Sequence, residues 1–241
     1  RGGGCDLPLA HPPRCLNRGD GKAMGVAIKI CGLTTIDAAR ATAEAGADYA
    51  GFVFVEKSKR FVTPERAKAL AQEMGREVKR VSLTVDASDR ELEEIVAVLD
   101  PDLVQLHGQE SPERVAEIRA TFGKPVMKAV GVSETADLHA ARAYRAVADL
   151  LLFDAKPPKS MPSALPGGNG LVFDWALIAA DRPSGDWMLS GGLTVDNVAE
   201  AVRMSQAPAV DVSSGVEAAP GRKSPERIKA FCRAVRSVLP V

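Results

Sequence analysis

A chain of 241 residues, 46% of them hydrophobic, is long enough to bury a full core as one large domain or two small ones. Its 31 basic side chains balance its 31 acidic ones, so no net field recommends nucleic acid or an anionic membrane as a partner. No apolar stretch approaches the ~18 residues that a membrane-spanning helix needs.

Residues 1–23 lack periodicity and are rich in glycine and proline, so they read as a flexible extension without a secretory apolar core. The patterned chain, 24–241, starts at Met24. Cysteines at 5, 15, 31 and 232 show no CxxC spacing and no histidine cluster, which argues against a structural zinc site and suits a reducing cytoplasm.

From Met24 onward, apolar runs alternate with helix-like segments. The runs are Val26–Cys31, Tyr49–Val55, Val78–Val85, Leu103–Leu106, Val126–Val130, Leu150–Phe153, Trp187–Leu189 and Ala209–Val212. Thr35–Ala45 carries Ile36, Ala39 and Ala43 at helical spacing and stops at Gly46. Pro64 and Pro112 open the second and fourth helices, Ser88 caps Arg90–Leu99, and Ser133 caps Glu134–Tyr144. Asp174–Ala179, Thr194–Met204 and Ser224–Val238 supply the last three. Eight strand–helix repeats at an even period predict an α/β fold, a (β/α)8 TIM barrel in one domain. The alternative, an open doubly wound sheet, normally has a glycine-rich GxGxxG first turn, which Cys31-Gly32-Leu33-Thr34 is not.

A barrel puts chemistry at the C-terminal ends of its strands. Those ends present Cys31, Phe54, Asp86, His107, Gly131, Asp154, Ser190 and Ser213. The loops after the seventh and eighth runs contain Gly191-Gly192 and Ser213-Ser214-Gly215, a pair suited to gripping phosphate with backbone N–H groups. Either one alone could be a turn that needs glycine. Cys31 and Asp154 end the first and sixth runs and face each other across a closed barrel. A thiolate there can remove a carbon-bound proton and a carboxylic acid can deliver one, and burial favours the protonated acid. Lys29, two residues before Cys31 on the same face, is expected to help the thiolate form. Cys31 could also be a small buried hydrophobe, as most free cysteines are. Arg60, beside Phe61 in a basic loop, offers a fork for a carboxylate; a solvated loop charge is the alternative. His107 is read as orienting its neighbours. Lys29 and Asp211 become neighbours if the eighth strand closes on the first. The segment from Lys156 to Gly170, rich in proline and glycine, reads as a lid.

Taken together, Lys29-Ile30-Cys31-Gly32-Leu33-Thr34, Gly51-Phe52-Val53-Phe54 with Lys57-Ser58-Lys59-Arg60, Gln105-Leu106-His107-Gly108, Lys128 through Val132, Gly167-Gly168-Asn169-Gly170 with Phe173-Asp174-Trp175, Leu189 through Leu193, and Val210 through Glu217 resemble one family, phosphoribosylanthranilate isomerase of tryptophan biosynthesis. The matches occur in the family's order over Met24–Val241. The resemblance implies an Amadori rearrangement, an aldose–ketose isomerisation of N-(5'-phosphoribosyl)anthranilate. It implies Asp154 as the general acid that opens the furanose ring and Cys31 as the general base at C2'. It implies that Arg60 holds the anthranilate carboxylate; His107 and Asp211 are read beside it as substrate contacts, with phosphate on Gly191, Gly192, Ser213, Ser214 and Gly215. The substrate nitrogen serves as the electron sink, so no metal or cofactor is implied. The implied partner is a small phosphorylated aminosugar, not nucleic acid or membrane, and the assembly a monomer or homodimer. Asn169 and Leu171 depart from the residues frequent in the family. A histidine-pathway aminoaldose-phosphate isomerase and a non-catalytic phosphate sensor on the same barrel are the competing readings.

Overall fold

Eight short apolar runs form the strands β1 (Ala27–Cys31), β2 (Tyr49–Val53), β3 (Lys79–Thr84), β4 (Leu103–Leu106), β5 (Val126–Val132), β6 (Leu150–Ala155), β7 (Trp187–Leu189) and β8 (Ala209–Val212). The computed structural model describes residues 25–156 and 175–238. The strands pair in chain order, all parallel, and β8 closes onto β1 through Ala27↔Ala209 to Ile30↔Val212. This is the expected barrel. Between the strands run α1 (Ile36–Glu44), α2 (Pro64–Gln72), α3 (Asp89–Leu99), α4 (Pro112–Phe122), α5 (Thr135–Ala141), α6 (Trp175–Ala180) and α7 (Val198–Ser205), and α8 (Pro225–Arg236) ends the series. The proposed extension 1–23, with Cys5 and Cys15, lies outside the described residues, as do Asn169, Leu171, Asp174 and nearly all of the proposed lid.

Helix starts follow local chemistry. Thr35, Thr63, Ser88, Ser111 and Ser224 each accept a first-turn N–H on the side-chain oxygen, and α2, α4 and α8 add proline in the first turn. Ser133 is a correction. The cap of α5 is Glu134, and Ser133 instead gives its hydroxyl to Asp137 Oδ2 at 2.9 Å. The helix also stops at Ala141, and Arg142–Tyr144 tighten into a 3₁₀ turn. The seventh helix begins at Val198 rather than Thr194, because Asn197 reaches back to accept the Thr194 N–H at 2.8 Å.

Strand parity sorts the side chains. Along each strand alternate residues point inward. Tyr49, Val81, Leu103, Met127, Leu150, Leu152 and Met188 pack together as the barrel's filling, while Ile28, Ile30, Phe52, Val104, Leu106, Leu151 and Phe153 join the helices outside. Continuing the inward parity toward the C-terminal ends puts Lys29, Cys31, Gly51, Gln105, Asp154, Ser190 and Asp211 on the interior side, and His107 follows β4 on that same parity. All of these polar side chains are buried. Strands β5 and β6 run two residues further than their apolar runs, since Gly131↔Asp154 and Val132↔Ala155 still pair. Asp154 therefore stands inside a hydrogen-bonded ladder, not in a loop.

A feature absent from the sequence reading follows β8. A 3₁₀ turn (Ser214–Val216) leads into a small antiparallel hairpin, β9 (Glu217–Ala219) and β10 (Arg222–Lys223). Of its three charged residues, Glu217 and Lys223 are buried and Arg222 is exposed.

Candidate active site

Lys29 and Cys31 share one face of β1, with Gly51 opposite on β2. A methyl group on Gly51 would stand 2.9 Å from Cys31 Sγ and 3.2 Å from Lys29 Nζ, so the missing side chain is what makes room for both. Lys29 Nζ donates to Asp211 Oδ1 at 2.8 Å, and Ser190 Oγ donates to Asp211 Oδ2 at 3.2 Å. The expected Lys29–Asp211 neighbours are thus an ion pair, made by the Lys29↔Asp211 register. Burial acts to lower the lysine's affinity for its proton, but Asp211 and the Cys31 thiol outweigh it, and its pKa is raised.

The Cys31 thiol titrates higher than an ordinary cysteine, because burial outweighs the pull of Lys29 and of Lys223 and Asp211 adds to the rise. The sequence reading of Lys29 as an aid to ionisation is right in sign and insufficient in size. Burial thus favours the protonated form of Cys31. Cys232, the other described free cysteine, is on the buried face of α8, and burial pushes it up to about 11.

On the facing side, His107 Nε2 lies 3.3 Å from Asp154 Oδ2, and Asp154 Oδ1 accepts the Ala155 N–H at 2.9 Å. Behind His107 the β4–α4 loop is clamped by a buried pair. Lys128 Nζ donates to Glu110 Oε2 at 2.9 Å and to the Gly108 carbonyl at 2.8 Å, while Glu110 Oε1 accepts the Asp86 N–H at 2.9 Å. Asp86, a strand-end candidate by position, is exposed and its Oδ1 accepts the Gln109 N–H at 2.6 Å, so it braces this loop.

Arg60 is not a solvated charge. Its Nε and one terminal nitrogen grip Glu217 at 2.6 and 3.1 Å, a two-pronged pair that holds the guanidinium in one plane. Lys223 Nζ joins them, donating to Glu217 Oε1 at 2.7 Å, to the Ser213 carbonyl at 3.0 Å and to Ser213 Oγ at 3.2 Å. Burial would raise the Glu217 carboxyl, but the hydrogen bond from Arg60 and the charge of Lys223 overcome it and hold it at about 2. A carboxyl held below its ordinary 4.5 stabilises the fold above that pH and loses the contribution as pH falls toward about 2. Denaturant midpoints across that window are therefore expected to fall less steeply for Glu217→Gln than for the parent; equal slopes would contradict the pairing.

Both predicted phosphate loops sit at this same end. Gly191 and Gly192 have φ of +90° and +63°. Asn197 Nδ2 donates to the Gly192 carbonyl at 3.0 Å and ties the first loop to α7. The Ser213 hydroxyl donates to the Cys31 carbonyl at 3.2 Å, so it braces β8 against β1. A methyl on Gly215 would drive into the Leu193 carbonyl, so the two loops touch at that glycine. Gly215→Ala is expected to displace one loop by a few tenths of an ångström or more and lower kcat/KM by about 10²-fold, with weaker competitive inhibition by inorganic phosphate. Unchanged inhibition would show that the loops do not hold phosphate.

A separate cavity of about 490 Å³ lies between the loops after β2 and β3, lined by Phe54, Phe61, Thr84, Glu91 and Ile95 among others. None of the predicted site residues lines it.

The profile of the family described as N-(5'phosphoribosyl)anthranilate (PRA) isomerase matches residues 28–234. The chain belongs to this family. Among curated relatives, the N-(5'-phosphoribosyl)anthranilate isomerase of Parvibaculum lavamentivorans is 56% identical over 213 residues, covering 88% of this chain and 99% of the relative. That of Paracoccus denitrificans is 52% identical over 217 residues, 90% of this chain and 100% of the relative. Of solved structures, phosphoribosyl anthranilate isomerase from Thermotoga maritima superposes with a TM-score of 0.79 at 38% identity, over 88% of this chain and 99% of that one. Another structure of the family holds reduced 1-(o-carboxyphenylamino)-1-deoxyribulose 5-phosphate; it gives a TM-score of 0.76 at 37% identity, over 88% of this chain and 99% of that one. Membership makes this chain an isomerase of tryptophan biosynthesis.

Sequence reasoning quoted Gln105 and Glu217 within motifs but gave them no role, and it passed over Lys223 and Asn197. Gln105 was accessible by parity, since it precedes His107 by two as Lys29 precedes Cys31. No local periodicity marks Glu217 or Lys223; they meet Arg60 only through the fold.

Proposed function

We propose that this chain converts N-(5'-phosphoribosyl)anthranilate to 1-(2-carboxyphenylamino)-1-deoxyribulose 5-phosphate, with Asp154 as general acid and Cys31 as general base. The observation that carries the reading is the convergence of both groups, from β6 and β1, on the barrel end that also holds the two glycine-containing loops. Asp154 gives a proton to the furanose ring oxygen. The C1'–O bond breaks, and the nitrogen lone pair forms an iminium at C1'. Cys31 then takes the proton from C2', and the electrons of that C–H bond become the C1'–C2' double bond as nitrogen recovers its lone pair. Loss of the C2' hydroxyl proton and protonation of C1' yield the ketone.

A buried thiol that resists ionisation is consistent with this order. The iminium formed in the first half puts a positive charge one bond from the carbon whose proton Cys31 must take, alongside Lys29 and Lys223. Ionisation is thereby favoured only when a reactive intermediate is present. Arg60, held flat by Glu217, receives the anthranilate carboxylate. Asp211, fixed by Lys29 and Ser190, and His107 contact the sugar hydroxyls. The loops Gly191–Gly192 and Ser213–Gly215 take the phosphate. No helix among the described residues is long and apolar enough to cross a membrane, and both described cysteines are free, which agrees with a cytoplasmic enzyme. Its assembly is a monomer or homodimer; a Thermotoga maritima relative is described as dimeric.

The test is decay of anthranilate-type fluorescence with freshly made phosphoribosylanthranilate. Conversion to a non-fluorescent product well above the no-enzyme blank is the expected result. A folded protein that leaves only spontaneous hydrolysis to anthranilate would refute the activity.

A further inference from the structure

We infer that Gln105 is a positioning residue whose carboxamide sets the tautomer of His107 and so stops the imidazole from competing for the proton that Asp154 delivers. The inference deepens the reading above and rests on Asp154 being the acid. Gln105 and His107 lie two residues apart along β4 and its end, and Gln105 is completely buried. The amide nitrogen of Gln105 is 2.8 Å from His107 Nδ1. An amide nitrogen can only donate, so Nδ1 must accept. A neutral imidazole then carries its proton on Nε2, the atom 3.3 Å from Asp154 Oδ2.

The chemical consequence concerns where a shared proton resides. An ordinary imidazole binds a proton more tightly than an ordinary carboxylate does. A histidine touching a carboxylic acid therefore tends to take its proton, leaving an imidazolium–carboxylate pair with no acid to offer the ring oxygen. An imidazolium needs protons on both nitrogens. With an N–H of Gln105 already directed at Nδ1, a second proton there would meet a donor instead of an acceptor. His107 is thereby confined to donating toward Asp154 and does not compete with the ring oxygen for the acid's proton. After delivery, the Nε2–H and the Ala155 N–H support the carboxylate left behind. The other end of the amide, Gln105 Oε1, has no hydrogen-bond partner among the described residues. Burying an unpaired carbonyl is costly, and apolar filling would avoid the cost if only volume mattered. Lys29 and Cys31 on β1 and Asp211 on β8 also face this mouth, but the contacts of the His107 ring described here are with Gln105 and Asp154.

The experiment is ¹H–¹⁵N correlation of imidazole nitrogens in the full-length labelled protein, with His107 assigned through its loss in His107→Asn. The parent is expected to show His107 neutral and protonated on Nε2 near neutral pH. Gln105→Glu, which puts an acceptor against Nδ1, is expected to give the imidazolium or the Nδ1–H form and to lower kcat about tenfold or more while KM stays within a few-fold. Gln105→Met keeps the volume without the donor and is expected to mix the tautomers. A parent His107 protonated on Nδ1 overturns the inference without any variant. So does a folded Gln105→Glu protein with the parental tautomer and kcat. If Asp154→Asn turns over like the parent, the acid assignment beneath the inference falls; if Asp154→Asn is inactive while Gln105→Glu is indifferent, only the role of Gln105 falls.

Discussion

Asp154→Asn and Cys31→Ser are each expected to lower kcat by about 10²- to 10⁴-fold, with KM changed far less. Asparagine keeps the shape and can still accept one of the two N–H groups on Asp154, but it has no acidic proton to give. Serine keeps a hydroxyl whose proton is held too tightly for it to act as a base. Because Asp154 is paired within the β5–β6 ladder and Cys31 sits in a pocket made by Gly51, neither change removes packing, and circular dichroism and melting should be near parental. A second readout isolates the thiol. In a Cys5→Ser, Cys15→Ser background, alkylation of Cys31 without substrate is expected to accelerate only above the pH of an ordinary thiol, since burial raises its pKa. Lys29→Met should push that inflection higher still, as the ammonium acts in the opposite direction to burial. Rapid labelling of Cys31 at neutral pH would contradict the described environment, and parental kcat in either substitution would remove that residue from the chemistry.

Asp211→Ala is expected to destabilise the fold by about 3–5 kcal/mol, because it strands a charged Lys29 with no exposure at all. For a domain of this size that is a loss of about 6–20 °C in Tm. The double substitution Lys29→Met, Asp211→Leu should recover most of the stability, since it buries neither charge. pH adds a check on the sign. In the parent, Lys29 has a raised pKa, so its contribution is complete below the ordinary lysine value of 10.5 and disappears as pH climbs through the folded value. Without Asp211, the cost of burial is no longer offset by its partner, the folded pKa falls below 10.5, and the variant gains stability as pH rises toward it. Opposite alkaline slopes for parent and Asp211→Ala, seen in urea midpoints, are the expected pattern. A single substitution costing under about 1 kcal/mol would mean that Lys29 is not held as a buried cation. Both proteins should be poor enzymes, so stability and activity part company in the double variant.

Much of this protein is legible in one dimension. The alternation of apolar runs with capped amphipathic segments required a parallel sheet with helices outside, and eight repeats required closure. Closure put Cys31, Asp154, Gly191-Gly192 and Ser213-Ser214-Gly215 at one end, because each lies at the C-terminal end of its strand or just beyond it. Parity alone placed Lys29 beside Cys31. Other facts belong to tertiary structure. The environment of Cys31 is decided by how deeply β1 lies among its neighbours: Lys29 is nearby as sequence spacing implies, yet burial prevails. The partner of Arg60 is Glu217, 157 residues away, brought over by a hairpin too short to leave a periodic trace. The contact between His107 and Asp154 joins strand ends that no local pattern relates. Periodicity reports which side of a strand a residue faces, since that is set by backbone geometry shared by every strand. It cannot report which charges meet, or how dry their meeting place is, because those depend on register and packing between distant elements, and these set the proton affinities on which the chemistry depends.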